Sequence, residues 1–187
     1  MAAQPIAAPL TSDDFLEIYS QDGEEALRQF ELFDGEVTER PMANLIHDEI
    51  KNVLCKELDR YFDKRPGHLA LVETTFKLGA TITFTPDLAV IESGRWKSMR
   101  REKFATGSPD IAFEVVSCDR ADRLQFKIDA YLEHGSKAVC CVYPSQQKIT
   151  VYTENRWFEF KGGASLEFPS VLPGFSLALS ALFETAE

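Results

Sequence analysis

Apolar residues along this chain recur with two different periods, and the changes of period mark out its elements. Ile46, Ile50, Val53, Leu54, Leu58, Tyr61 and Phe62 repeat at three- and four-residue spacing. That spacing predicts a helix over 43–62, capped by Asn44 and stopped by Pro66-Gly67. Leu124, Ile128, Tyr131 and Leu132 predict a second helix over 120–134, with Gly135 as its end. Between these helices, runs at 69–78, 82–92 and 110–117 read as strands, and 93–108 reads as a polar loop. The unbroken apolar run 137–143 has the pattern of a strand covered on both faces. Segments 29–33 and 36–40 flank Asp34-Gly35, a strong hairpin signal. Segments 148–153 and 156–161 around Glu154-Asn155 predict a second hairpin. A short acidic helix capped by Thr11 or Ser12 precedes the first hairpin, after a loose leader over 1–11. A Pro173-Gly174 turn and a short apolar segment, 177–183, close the chain. Helices alternate with strands late but not early, so the expected fold is α/β: a mixed central sheet flanked by helices, with N- and C-terminal hairpins.

The length of 187 residues fits one domain over 1–187, large enough to fold without disulfides or metal. Cys55, Cys118, Cys140 and Cys141 show neither CxxC nor zinc-type spacing and read as reduced structural thiols. Cys140 and Cys141 are adjacent in a strand-like run, so they point to opposite faces. No apolar run approaches the ~20 residues that a membrane helix needs. The first residues, MAAQPIAAPL, lack a basic side chain and make a poor signal peptide. Together these point to a cytoplasmic protein. The net charge of -10 is concentrated at one end, since residues 1–40 carry ten acids and two bases. The nearly neutral remainder admits a polyanionic substrate, but the charge argues against non-specific nucleic-acid binding by the whole molecule.

Candidate chemistry begins with two Pro-Asp dipeptides at strand starts, Pro86-Asp87 and Pro109-Asp110. Each places an Asp at a strand end, facing a cleft or solvent. Glu114 lies inside the apolar run IAFEVV, on the same strand face as Asp110. An ionised carboxylate there is costly unless it is paired or metal-bound. It reads equally as a metal ligand or as the partner of a buried base. Lys127 follows on the next helix, one step off the buried stripe, and alone would read as solvated. Two strand-borne carboxylates with a lysine suit Mg²⁺ and phosphoryl chemistry.

At this point the chain resembles a known family. FELFDGEV, a helix opening with HDEI, PDLAV, GSPDIAFEVVS, K-x3-YLEHG and an apolar strand ending in YP follow in the order of the Uma-type restriction endonuclease family. That family belongs to the PD-(D/E)xK nuclease superfamily, and the resemblance covers about residues 12–183. It implies a restriction-endonuclease-like core and a Mg²⁺- or Mn²⁺-dependent endonuclease acting on nucleic acid, DNA before RNA. It makes Asp87 and Glu114 the metal-binding acids. The lysine expected two residues after Glu114 is replaced by Val116, and Lys127 matches the position of a lysine migrated onto the next helix. Glu36 and His47 match auxiliary positions, and Asp110, on the face of Glu114, reads as an assisting acid or as a strand-start turn residue. Cys118 departs from the family, which usually has Pro there. On this reading, Lys127→Ala leaves the fold intact and abolishes cleavage.

Two surface features stay open. Arg95, Lys97, Arg100, Arg101 and Lys103 lie between the acid-bearing strands, either as a nucleic-acid-binding loop or as a solvated surface. The 148–161 hairpin, with Trp157 and Phe158, is either a homodimer surface or ordinary packing. The alternative function is a catalytically silent nuclease-fold module that binds nucleic acid or a protein. A glycosidase ranks last, because its two acids would face an aromatic-lined, sugar-sized groove.

Overall fold

The structure is a computed structural model, and it describes residues 9–41, 44–116 and 121–184. Most of the expected leader, the residue at 43 where the long helix was to begin, and the segment 117–120 with Cys118 lie outside the described residues. The chain runs α1 (Ser12–Tyr19), α2 (Glu24–Leu27), β1 (Phe30–Phe33), β2 (Glu36–Glu39), α3 (Leu45–Lys64), β3 (His68–Val72), β4 (Phe76–Lys77), β5 (Thr83–Phe84) and β6 (Leu88–Glu92). It continues through α4 (Ser93–Met99), β7 (Ala105–Thr106), β8 (Ile111–Val115), α5 (Ala121–Glu133), β9 (Ala138–Tyr143), β10 (Lys148–Thr153) and β11 (Arg156–Lys161). It ends with β12 (Ser165–Phe168), β13 (Leu172–Ala178) and α6 (Leu179–Phe183).

Six strands form the central sheet in the order β11-β10-β9-β8-β6-β3. Only β8 and β9 run parallel, with α5 as their crossover, and the other neighbours are antiparallel. The mixed sheet flanked by helices is therefore present. One face packs Ile50, Leu54 and Leu58 of α3, together with β12, β13 and α6, on Val90, Phe113, Cys140 and Val142. The other face packs Ile128 and Tyr131 of α5 and Phe76 and Phe84 on Ala89, Ala112, Val139 and Cys141. Cys140 and Cys141 thus fall on opposite faces, as alternation requires.

The N-terminal hairpin belongs to a second, smaller sheet of order β2-β1-β5-β4-β7. This sheet explains why two of the expected strands are broken. The 69–78 run leaves the central sheet after Val72 and enters the small one at Phe76, turning at Glu73 with φ 46°. The 82–92 run makes the reverse passage at Thr85-Pro86-Asp87, where Pro86 offers no ladder donor. Asp34 and Gly35 both have positive φ, the two-residue turn that matches strand twist.

Two other expectations are corrected. The 93–108 segment contains α4, whose first turn is capped by the Glu92 carboxylate accepting from Gly94 and Arg95 amides at 2.8 and 2.7 Å. Pro173 and Gly174 lie within β13, and the turn comes earlier, where Val171 N donates to the Phe168 carbonyl. A two-stranded ribbon has only edge strands, which tolerate proline. At the far edge of the central sheet, β11 exposes Trp157 and Phe158. No helix among the described residues is long and apolar enough to cross a membrane.

Candidate active site

The strand pairing brings the two Pro-Asp/Glu segments together at one end of β6 and β8. Because these strands are antiparallel, Asp87 just before β6 lies beside the C-terminal end of β8. The Asp87 amide donates to the Phe113 carbonyl, and Asp87 Oδ2 accepts the Val115 amide at 2.7 Å. Alternation places Asp87 with Ala89 and Glu114 with Ala112, so both carboxylates belong to the face covered by α5. Both are buried.

Cations and hydrogen-bond donors surround them. Arg40 Nη2 lies 3.1 Å from Asp87 Oδ1, and His47 Nε2 lies 3.1 Å from Asp87 Oδ2. Lys127 Nζ lies 2.7 Å from Glu114 Oε1 and 2.9 Å from Glu31 Oε1. Tyr131 donates its hydroxyl to Glu114 Oε1 at 3.0 Å. The Thr85 amide donates to Glu31 Oε1, and Arg40 Nε stands 3.8 Å from the same oxygen. Beyond Asp87, Lys51 pairs with Asp48 and Glu73. Lys127 is buried rather than flanking, because the buried side of α5 includes it with Ile128, Ala130 and Tyr131.

Three buried carboxylates, Glu31, Asp87 and Glu114, thus meet two permanent cations, Arg40 and Lys127. His47 adds a further contact to Asp87, and the cost of burial falls on Glu114. Burial, opposed by Lys127 but reinforced by Asp87 and Glu31, pushes Glu114 up to about 7. Burial would raise Asp87 too. There the His47 hydrogen bond, the Arg40 charge and the Val115 amide prevail, holding its carboxyl below the ordinary range. Burial also opposes charge on Lys127, but Glu114 and Glu31 outweigh it and keep the ammonium protonated. Burial and the neighbouring Glu114 raise the Tyr131 phenol well above its ordinary value, so it remains a donor.

A pH dependence follows from Glu114. Its folded-state value lies above its ordinary 4.5, so the folded chain holds the extra proton between those limits. In chelator, the melting temperature will therefore fall, on the order of 5 °C, between about pH 5 and about pH 8. Glu114→Gln will flatten that slope in scanning calorimetry; an equal slope in the variant assigns the effect elsewhere.

The remaining expected residues are distributed differently. Glu36 shares a hairpin face with Glu31 but sits at the exposed tip, one strand repeat farther out. Asp110 lies four residues before Glu114, about 13 Å along the strand. Its carboxylate accepts the Glu92 amide at 2.7 Å and pairs with Lys137 at 2.8 Å. Arg95 and Lys97 are on α4, which leaves β6 at the end remote from Asp87. Arg100 and Lys103 return toward β4 and line a depression of about 260 Å³ with Arg28 and Thr75. Arg101 is exposed on the same connection. Glu31, Arg40, Lys51, Glu73 and Tyr131 join the cluster, and none of them is among the site residues expected from the sequence.

The profile of the Uma2 family, described as "Putative restriction endonuclease", matches residues 12–180. The chain belongs to the Uma2 family. Its nuclease-type fold has a solved counterpart from Anabaena variabilis ATCC 29413, described as "a putative nuclease belonging to DUF820". The two superpose with a TM-score of 0.82 at 20 % identity, over 96 % of this chain and 100 % of that one. At that identity the likeness is one of fold. No curated protein matches the sequence. The Uma2 match spans the elements that build the cluster, from β1 with Glu31 through α5 with Lys127 and Tyr131.

Proposed function

We propose that this Uma2 chain is a Mg²⁺- or Mn²⁺-dependent endonuclease that hydrolyses phosphodiester bonds of DNA. The observation that carries the reading is the contact between Lys127 and Glu114 on the face shared with Asp87. A compact ammonium is bonded to one of two convergent buried acids in a chain of a nuclease family.

Asp87 and Glu114 would hold the metal, and the donor set fits one. Carboxylate oxygens are hard ligands, and Mg²⁺ commonly takes one or two protein carboxylates, with waters and substrate phosphate as the rest. Among the described residues no three acidic, His or Cys side chains form a ready metal cluster. Lys127 and Tyr131 both engage Glu114 Oε1, which leaves Oε2 for a cation. When bound, such an ion polarises a phosphoryl oxygen and lowers the pKa of a bound water. Lys127 neutralises charge that develops on the phosphate in the transition state. Tyr131 orients Glu114, while Arg40 and His47 orient Asp87.

The second reading is a silent module that binds nucleic acid or protein. It is favoured by one observation: Arg40, His47 and the Val115 amide already occupy both oxygens of Asp87. Incubation with single-stranded, duplex and branched DNA and with RNA, with and without Mg²⁺ or Mn²⁺, separates the two. We expect DNA cleavage that requires the metal and stops in chelator. Inactivity on all four substrates with either metal leaves the silent module.

A further inference from the structure

Where β8 ends, a pocket of about 190 Å³ opens between the start of α3, the end of β8 and α6. Ile46, Val116 and Phe183 form apolar walls, and Asn44, His47 and Gln147 supply polar groups. Val115, the residue after Glu114, also lines it, and His47 is the imidazole that contacts Asp87. His47 is thus the lining residue that links this pocket to Asp87.

Size and chemistry narrow the occupant. An apolar cavity of about 150 Å³ takes up a benzene ring, whereas drug-sized sites begin near 300 Å³. The volume therefore suits a single six-membered ring. Among the described residues no Lys, Arg, Asp or Glu lines the pocket, and its walls suit a neutral ring with a hydrogen-bonding edge.

We propose that this pocket accepts one pyrimidine base, turned out of the nucleic-acid stack beside the bond to be cut. The inference rests on the nuclease reading and adds a base-recognition site to it. Apolar walls would grip the ring faces, and the Asn44 and Gln147 amides would meet the ring edge, as in other pockets for extruded bases. The consequence is a preference for pyrimidine at one position flanking the cut.

The test does not depend on cleavage. Saturation-transfer NMR on the full chain in chelator, with cytidine, thymidine, adenosine and guanosine as probes, reads the pocket directly. We expect transfer to the pyrimidine ring protons. Ile46→Trp should lower it at least about tenfold by filling the space. Ile46 is 43 % exposed, so the larger ring is tolerated by the fold. Gln147→Gly is the second variant: Gln147 has φ 45°, which glycine adopts without strain, and the change removes the amide. It should weaken transfer while the melting temperature holds or rises. Absence of transfer, or transfer unchanged in Ile46→Trp, overturns the proposal. Equal transfer from purines overturns the single-ring assignment. Transfer without any cleavage activity refutes the nuclease reading alone, and cleavage without transfer refutes the pocket alone.

Discussion

Asp87→Asn is expected to lower metal-dependent cleavage by at least about 10³-fold, and Glu114→Gln by a similar factor, at saturating Mg²⁺. Each replacement keeps the shape of the side chain and removes the charge that would bind the ion. An Asn at 87 can still accept the Val115 amide now bonded to Oδ2, and Arg40 keeps Glu31 as a partner. The fold therefore survives at a cost of about 1–3 kcal/mol. Loss of at least about 4 kcal/mol of transition-state stabilisation is the corresponding statement about rate. Glu36→Gln provides the contrast, because Glu36 stands exposed at the hairpin tip. Its activity should stay within about threefold of the parent chain. Single-turnover cleavage across a Mg²⁺ titration, on samples checked by thermal melt, measures all three. Cleavage retained in folded Asp87→Asn removes the metal site argued above.

Elements with one uniform environment along their length were legible from sequence. Helix α3 presents Ile50, Leu54 and Leu58 to one sheet face for its whole length, so its period is clean. Strand β9 is covered on both faces and reads as an apolar run. The elements that were misread change environment part-way. The 69–78 and 82–92 runs each serve two sheets, and hydrophobicity alone does not mark the passage from one to the other. Helix α4 has only Met99 fully buried, too little to establish a period. Pro173-Gly174 was read as local punctuation, whereas pairing with β12 keeps it extended.

The site was legible where one acid sits inside an apolar run. Glu114 in IAFEVV was singled out for that reason, and Glu31 in FELF carries the same signal between Phe30 and Leu32. Motif position favours Glu36 among the hairpin's acids, while burial selects Glu31. Arg40 closes its strand beside Pro41 and resembles an ordinary strand-end base. Its role depends on the small sheet bringing the hairpin against β6, a long-range event that no local pattern encodes. Tyr131 was assigned to the helix stripe correctly, but its hydroxyl's partner, Glu114, lies on a different element.

Lys127→Ala is expected to do more than abolish cleavage. Its ammonium is buried between Glu114 and Glu31, so removing it strands two acids in the interior. Breaking a buried ion pair from one side typically costs about 3–5 kcal/mol. The expectation of an intact fold, natural for a flanking lysine, gives way to marked destabilisation at about pH 8. The loss should shrink near about pH 5, because Glu114, already pushed up to about 7 and now without its cation, takes up a proton there. The double variant Lys127→Met with Glu114→Gln fills the space and removes one stranded charge. It should recover much of the stability and none of the activity, since the two residues act on one network and their effects are not additive. Lys127→Arg should remain inactive, because a planar fork does not replace a compact ammonium bonded to two carboxylates. Denaturant melts at the two pH values, beside cleavage assays of the folded fraction, separate the contributions. Equal destabilisation at both pH values would show that packing, not the stranded carboxylates, accounts for the loss. Active Lys127→Ala would transfer the transition-state role to another base, and Arg40 is the nearest one on Asp87.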